Sequence, residues 1–130
     1  MRSIIIVFCL KEVKNLISKV SSSNKMTKVG EHITLDIIGT KKEYDPSVFE
    51  KVIHDIAKAA KVTILNISKY KFEPQGFTIL ALLAESHISF HTFPEKGIIS
   101  FDFFTCGKIN PSVAVEIIKK EFEHTRIVKK

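Results

Sequence analysis

The stretch HISFHTFPEKGIISFDFFT, residues 87–105, predicts a β-hairpin at the centre of the fold. Residues 87–93 and 98–105 are rich in aromatic and β-branched side chains, which is the composition of strands. Between them, residues 94–97 place a proline and a glycine where a tight turn needs them. The two strands should therefore pair antiparallel.

Outward from the hairpin, four further strands are predicted, over residues 32–38, 62–70, 77–84 and 125–128. The third of these, 77–84, is continuously apolar, which predicts a strand that is buried on both faces or central in a sheet.

Two helices are predicted from the dipeptides Asp45-Pro46 and Asn110-Pro111, each a capping residue followed by proline at the first helical position. Apolar residues then fall on one face of each helix, namely Phe49, Val52, Ile53, Ile56 and Ala60 in the first and Ala114, Ile117, Ile118 and Phe122 in the second. The order β-α-β-β-β-β-α-β predicts an α+β, two-layer sandwich with a largely antiparallel sheet and both helices on one face. The uncovered face indicates a dimer.

The bulk composition indicates one globular domain, with 130 residues, 45% hydrophobic and 26% charged. The net charge of +6 is spread over scattered lysines, which favours a solvated basic surface over a nucleic-acid site. Cys9 and Cys106 form no CxxC pair, so a reducing cytoplasm is expected.

Residues 1–25 are expected to be an N-terminal extension of unknown role, and residues 26–130 the functional domain. The apolar run 4–10 is too short to span a membrane and has no small-residue cleavage site after it. Residues 21–25 have a linker composition, and Met26 could be an alternative start.

Reactive side chains are unusually dense around the hairpin: Glu85, Ser86, His87, His91 and Cys106. Taken singly, each is more often a turn or core residue. A Ser-His hydrolase is disfavoured because neighbouring strand residues point to opposite faces and no Gly-x-Ser-x-Gly elbow is present. Zinc binding by the histidines and Cys106 fits no standard spacing, so no metal is predicted. Ser86 and His91 could meet through a bend.

Together, residues 85–95 (ESHISFHTFPE) and 104–107 (FTCG) resemble the small, prokaryotic-type S-adenosylmethionine decarboxylases, which are pyruvoyl enzymes. The spacings from Ser86 to His91 and to Cys106 fit that family. So do KFEPQG at 71–76 and Gly30-x-His32. The resemblance covers about residues 26–128. Two residues depart from it: Phe93 stands where tryptophan is common, and Lys96 where an aromatic residue is common.

The resemblance implies a proenzyme in which Ser86 attacks the carbonyl of Glu85. The chain would be cut into 1–85 (β) and 86–130 (α), and Ser86 would become the covalent pyruvoyl cofactor. His91 would transfer the proton during processing, and Cys106 would return a proton to the substrate carbon. Substrate binding would fall to Phe72, stacked on the adenine, and to Glu95 on the ribose hydroxyls.

The implied reaction converts S-adenosylmethionine to S-adenosylmethioninamine and CO2 for spermidine biosynthesis. Two processed protomers would pair as α2β2, with no nucleic-acid or membrane partner. Two alternatives stay open from the sequence: the same chemistry on arginine or ornithine, and a processing-dead homologue that regulates an active partner.

Overall fold

A computed structural model describes residues 28–40 and 43–130, so the predicted extension 1–25 lies outside the described residues. The elements follow the predicted order. They are β1 Gly30–Ile38, α1 Pro46–Ala60, β2 Ile64–Lys71, β3 Phe77–Leu83, β4 Ser86–Phe93, β5 Ile98–Cys106, α2 Val113–Glu121 and β6 Arg126–Lys129, with a short 3-10 helix at Pro94–Lys96.

The strands form one six-stranded sheet in the order β2-β3-β4-β5-β1-β6, and every neighbouring pair is antiparallel. The predicted hairpin is β4-β5, in register from Ser86 opposite Thr105 to Phe93 opposite Ile98. Its turn is the 3-10 helix, which ends at Gly97 with φ 60°, a left-handed conformation that favours glycine. The predicted fold class is confirmed.

The start of α1 matches its sequence signal, while α2 starts later than predicted. Asp45 Oδ1 accepts a hydrogen bond from the Ser47 N–H at 2.8 Å, and Pro46 is the first helical residue. Asn110 Oδ1 likewise accepts from the Ser112 N–H at 2.9 Å, but α2 begins only at Val113. The intervening residues form tighter turns, with the Ala114 N–H bonded to the Pro111 carbonyl three residues back.

The core lies between the two helices and one face of the sheet. Phe49 of α1 is at its centre, with ring centroids 4.7 Å from Phe77, 5.2 Å from Phe90 and 4.9 Å from Phe122. All four rings are buried. Burying one such side chain contributes about 1.5–3 kcal/mol, so this aromatic cluster fixes the helices on the sheet.

The opposite face of the sheet is covered by neither helix, and β3 shows this most clearly. It is an interior strand, but Leu80 and Leu82 are 43% and 51% exposed while Ile79 and Ala81 are fully buried. Of the two alternatives predicted for this strand, the place inside the sheet is confirmed, whereas burial on both faces was wrong for a single protomer, because the helices cover one side only. We call the uncovered side the open face. Its central strands present His32, Thr34, Asp36, Thr78, Leu80, Leu82, His87, Ser89, His91, Ser100, Asp102 and Phe104.

Candidate active site

Ser86 is the first residue of β4, directly after the tight connection from β3. Its Oγ lies 3.3 Å from Nδ1 of His87. Neighbouring strand residues alternate between the two faces, yet these two polar atoms lie within hydrogen-bond distance. Neighbouring Cα atoms are only about 3.8 Å apart, and both polar atoms sit close to the backbone. The hydroxyl therefore has an imidazole nitrogen within reach.

Glu85, which precedes the Ser86 peptide bond, is held by hydrogen bonds to its carbonyl and to its side chain. The Glu85 carbonyl accepts a hydrogen bond from the Cys106 N–H at 3.1 Å. The Glu85 carboxylate accepts from the Thr63 N–H at 3.0 Å and from the Thr63 hydroxyl at 3.4 Å. A donor fixed on a carbonyl oxygen stabilises negative charge that develops there. This carbonyl is thus prepared for nucleophilic attack.

Cys106 ends β5 and is exposed, with Gly107 after it at φ 80°. It lies opposite Gly30 of β1. A Cβ at Gly30 would come within 2.3 Å of the Thr105 carbonyl oxygen, so the close approach of these strands requires glycine there. Gly30 therefore permits the close strand pairing that keeps Cys106 at the same end of the sheet as Ser86.

His87 belongs to a chain of three polar side chains on the open face. Its Nε2 lies 2.7 Å from Asp102 Oδ1, and Asp102 Oδ2 lies 2.6 Å from Nε2 of His32. The Phe104 ring packs between the imidazoles, with centroids 5.7 Å from His32 and 6.2 Å from His87. Sequence reasoning missed this chain. We call Glu85, Ser86, His87, Asp102, Cys106 and His32 the serine group.

A second set of candidate residues lines a pocket near the hairpin turn. His91 Nδ1 lies 2.8 Å from the Thr78 hydroxyl. The other lining residues are Phe72, Gln75, Thr92, Phe93 and Glu95, and with His91 and Thr78 we call them the histidine pocket. The predicted substrate-binding residues Phe72 and Glu95 thus meet beside His91. Thr78 was missed because an isolated threonine in an apolar strand carries no local signal.

One protomer does not bring the serine group and the histidine pocket together. Ser86 and His91 lie on the unbroken strand β4, five residues apart and therefore on opposite faces. At about 3.3 Å per residue, their Cα atoms are about 16 Å apart. The bend that would let them meet is absent. The candidate residues form two half-sites at opposite ends of β4.

Asp36 lies on the open face in β1, on the strand that carries His32. Lys130 and Ser100 both donate to its carboxylate, the latter at 2.6 Å. Those hydrogen bonds hold the pKa of the Asp36 carboxyl below its ordinary value, and the one from Lys130 has the largest effect. The carboxylate is therefore ionised at neutral pH.

Within 28–40 and 43–130, histidine, cysteine and acidic side chains nowhere gather in a cluster of three that could hold a metal ion. In that same part of the chain, neither helix combines the length and apolar content that crossing a membrane requires.

Comparisons with known proteins place this α+β sandwich among the decarboxylases. The family model described as S-adenosylmethionine decarboxylase matches residues 31–130. The chain is 33% identical to the adenosylmethionine decarboxylase of Aquifex aeolicus, known as a crystal structure. That match has a TM-score of 0.69 and covers 78% of this chain and 87% of that one.

Relatives from two further organisms carry the name S-adenosylmethionine decarboxylase proenzyme. The Prochlorococcus marinus (strain MIT 9313) protein is 44% identical over 96 residues, 72% of this chain and 77% of the relative. The Methanococcus maripaludis (strain C7) protein is 38% identical over 105 residues, 78% and 86% respectively. The chain belongs to the S-adenosylmethionine decarboxylase family.

Proposed function

We propose that the chain is a proenzyme that cuts itself between Glu85 and Ser86 and then decarboxylates S-adenosylmethionine. The observation that carries the proposal is the Glu85 carbonyl, hydrogen-bonded by the Cys106 N–H and followed directly by the Ser86 hydroxyl. The family assignment supports the same reading. Neither arginine and ornithine as substrates nor a processing-dead role is favoured by the comparisons.

The cutting reaction uses groups that this site contains. Ser86 Oγ bonds to the Glu85 carbonyl carbon, and the Ser86 nitrogen leaves with a proton, which converts the amide to an ester. Loss of the Ser86 α-proton and of the Cβ–Oγ bond then releases Glu85 as a carboxylate. The remaining dehydroalanine rearranges, and water removes its nitrogen as ammonia. The Cys106 N–H stabilises the oxyanion of the first step.

The product of that sequence is a pyruvoyl group at residue 86, which supplies the electron sink that decarboxylation requires. The residues present fit such a group, because position 86 opens a strand and its carbonyl neighbour is fixed by a backbone donor. In this proposal the exposed Cys106 thiol holds the proton that is returned to the substrate carbon.

The histidine pocket fits the nucleoside end of S-adenosylmethionine. Phe72 is 47% exposed, so its ring is free to stack on adenine. The sulfonium charge is attracted by the same aromatic face. The Glu95 carboxylate accepts hydrogen bonds from two ribose hydroxyls. Arginine and ornithine offer neither ring nor ribose, so these residues favour the nucleoside substrate.

The two half-sites require a second protomer. We infer a two-fold dimer in which the open faces pack on each other with their strands roughly antiparallel. Each serine group would then lie beside the histidine pocket of the partner, giving two identical sites. The exposed Leu80 and Leu82 supply apolar surface for such contact. After cutting, the assembly is α2β2.

The test is the intact mass of the purified protein under denaturing conditions, followed by CO2 release from S-adenosylmethionine, arginine and ornithine. Two fragments, 1–85 and an N-terminally blocked 86–130, together with CO2 from S-adenosylmethionine alone, are the expected result. Ser86→Ala is the control and should stay whole. A wild-type chain that stays whole, or CO2 from arginine alone, would contradict the proposal.

A further inference from the structure

In the hydrogen-bonded chain Ser86–His87–Asp102–His32, only Ser86 has a role in the function proposed above. This is the one polar chain in the described residues that touches the Ser86 hydroxyl directly. His91 is about 16 Å along the same strand from Ser86, on the other face. Attack by a serine hydroxyl needs a base, because an un-ionised hydroxyl is a weak nucleophile.

We propose that His87 is the base that takes the Ser86 hydroxyl proton when the ester forms, and that Asp102 is its positioning residue. The inference rests on the proposed self-cleavage. It divides the proton transfers between two histidines. His87 serves ester formation, and His91, from the partner's histidine pocket, serves the elimination that follows.

The hydrogen bonds fix which His87 nitrogen is free. An ionised carboxylate only accepts, so Asp102 Oδ1 selects the tautomer of His87 that carries its proton on Nε2. Nδ1 is then left with a lone pair, 3.3 Å from the Ser86 Oγ. This is the acceptor that a general base must present, and the carboxylate also stabilises the imidazolium that forms.

The surrounding residues keep this geometry rigid. Asp102 is bonded through its second oxygen to His32, so its carboxylate cannot rotate away from His87 without losing that contact. Phe104 packs against both imidazoles from β5. Three neighbouring strands, β4, β5 and β1, thus hold one acceptor in place.

The step balances within the residues named. The Ser86 O–H proton moves to His87 Nδ1 as Oγ bonds to the Glu85 carbonyl carbon. The oxyanion is held by the Cys106 N–H. When the C–N bond breaks, the His87 proton passes to the departing Ser86 nitrogen. His87 ends neutral, and no outside reactant is consumed.

The test separates the two steps with neutral hydroxylamine, which cleaves esters and leaves peptide bonds intact. Six proteins are made by cell-free translation and followed by intact mass: wild type, His87→Ala, His87→Asn, Asp102→Asn, Asp102→Glu and His91→Ala. His87→Ala should stay whole with or without hydroxylamine, and ester formation should slow about 100-fold or more. His91→Ala should accumulate ester, so hydroxylamine should cut it at residue 85 and free a fragment that begins with serine.

Further variants guard against a purely structural effect. Added imidazole should restore cutting in His87→Ala, since the small base fits the space left by the ring. Asp102→Asn should slow cutting without any accumulation of the ester, and Asp102→Glu should recover part of the cutting rate. His87→Asn, which keeps a polar group near Oγ, replaces the alanine variant if that variant fails to show a cooperative melt.

The outcomes distinguish this inference from the proposed function. A His87 variant that cuts at the wild-type rate, or that builds up hydroxylamine-sensitive ester, overturns the role of His87 while self-cleavage stands. A wild-type chain that never cuts overturns self-cleavage itself, and the assignment of His87 with it.

Discussion

Ser86 and His91 lie at opposite ends of the same strand, and their side chains point to opposite faces of the sheet. A serine and a histidine so placed cannot exchange a proton within one protomer. Each nevertheless has its own partners, His87 for Ser86 and Thr78 for His91. The two ends of β4 thus belong to two different sites, and in the proposed dimer each would be completed by the other copy of the chain.

This arrangement predicts complementation between two inactive variants. Ser86→Ala and His91→Ala should each fail to make the pyruvoyl enzyme alone. When they are co-expressed in equal amounts, half of the dimers are mixed by chance, and each mixed dimer joins one intact serine group to one intact histidine pocket. About a quarter of all sites should therefore be active. Decarboxylation and fragment yield measure this.

The control for complementation is the double variant Ser86→Ala/His91→Ala co-expressed with wild type. It should lower activity per chain without creating new sites. Mixed dimers that show no activity, although purified as mixed species by two different tags, would contradict a shared site.

Phe72→Ala should raise KM for S-adenosylmethionine and leave self-cleavage unchanged. Stacking of a base on an aromatic ring is worth about 1–3 kcal/mol, which corresponds to a KM increase of about 5- to 140-fold. Phe72→Trp should retain the wild-type KM because the stacking surface remains. Leu65→Ala, also exposed but outside the histidine pocket, is the matched control. An unchanged KM in Phe72→Ala would show that the adenine binds elsewhere.

Cys106→Ala should separate processing from turnover. The donor to the Glu85 carbonyl is the backbone N–H of residue 106, which alanine keeps. Cutting should therefore continue, while kcat should fall about 100-fold or more because the thiol proton is gone. Fragment yield and kcat are measured on the same preparation. Full kcat in this variant would mean that the thiol takes no part in turnover.

The elements that sequence predicted well are those with local signals. The turn at residues 94–97 and the cap at Asp45 are determined by residues next to one another in sequence, and both are found where expected. The face that β3 buries was not predictable in this way. Leu80 and Leu82 are as apolar as Ile79 and Ala81, so the alternation carries no polar contrast.

The polar chain of the serine group depends on contacts far apart in sequence. His32 and Asp102 are 70 residues apart, and they meet only because β1 pairs with β5 rather than with its sequence neighbour β2. The pairing register determines which outward-facing residue of β5 lies between β1 and β4. The packed core sets that register. The roles of Ser86, His91, Cys106, Phe72 and Glu95 stay predictions.

The Asp36 carboxylate predicts a pH-dependent contribution to stability. Hydrogen bonds from Lys130 and Ser100 lower its pKa in the folded protein, whereas in the unfolded chain the pKa is about 3.9. The stabilisation is therefore complete above that value and is lost as pH falls through the lower, folded pKa. Asp36→Asn should lose about 1 kcal/mol at pH 7, a modest value because Lys130 is more than half exposed.

Urea unfolding at fixed protein concentration measures this, since the apparent stability of the proposed dimer would depend on protein concentration. The difference between wild type and Asp36→Asn should be constant from about pH 5 to 8, should begin to shrink below about pH 4, and should close as pH falls below the lowered pKa of the folded protein. Lys130→Met should remove the same contribution, and the double variant should be little worse than either single one. A difference that persists undiminished at low pH would show that the carboxylate's charge is not what stabilises the open face.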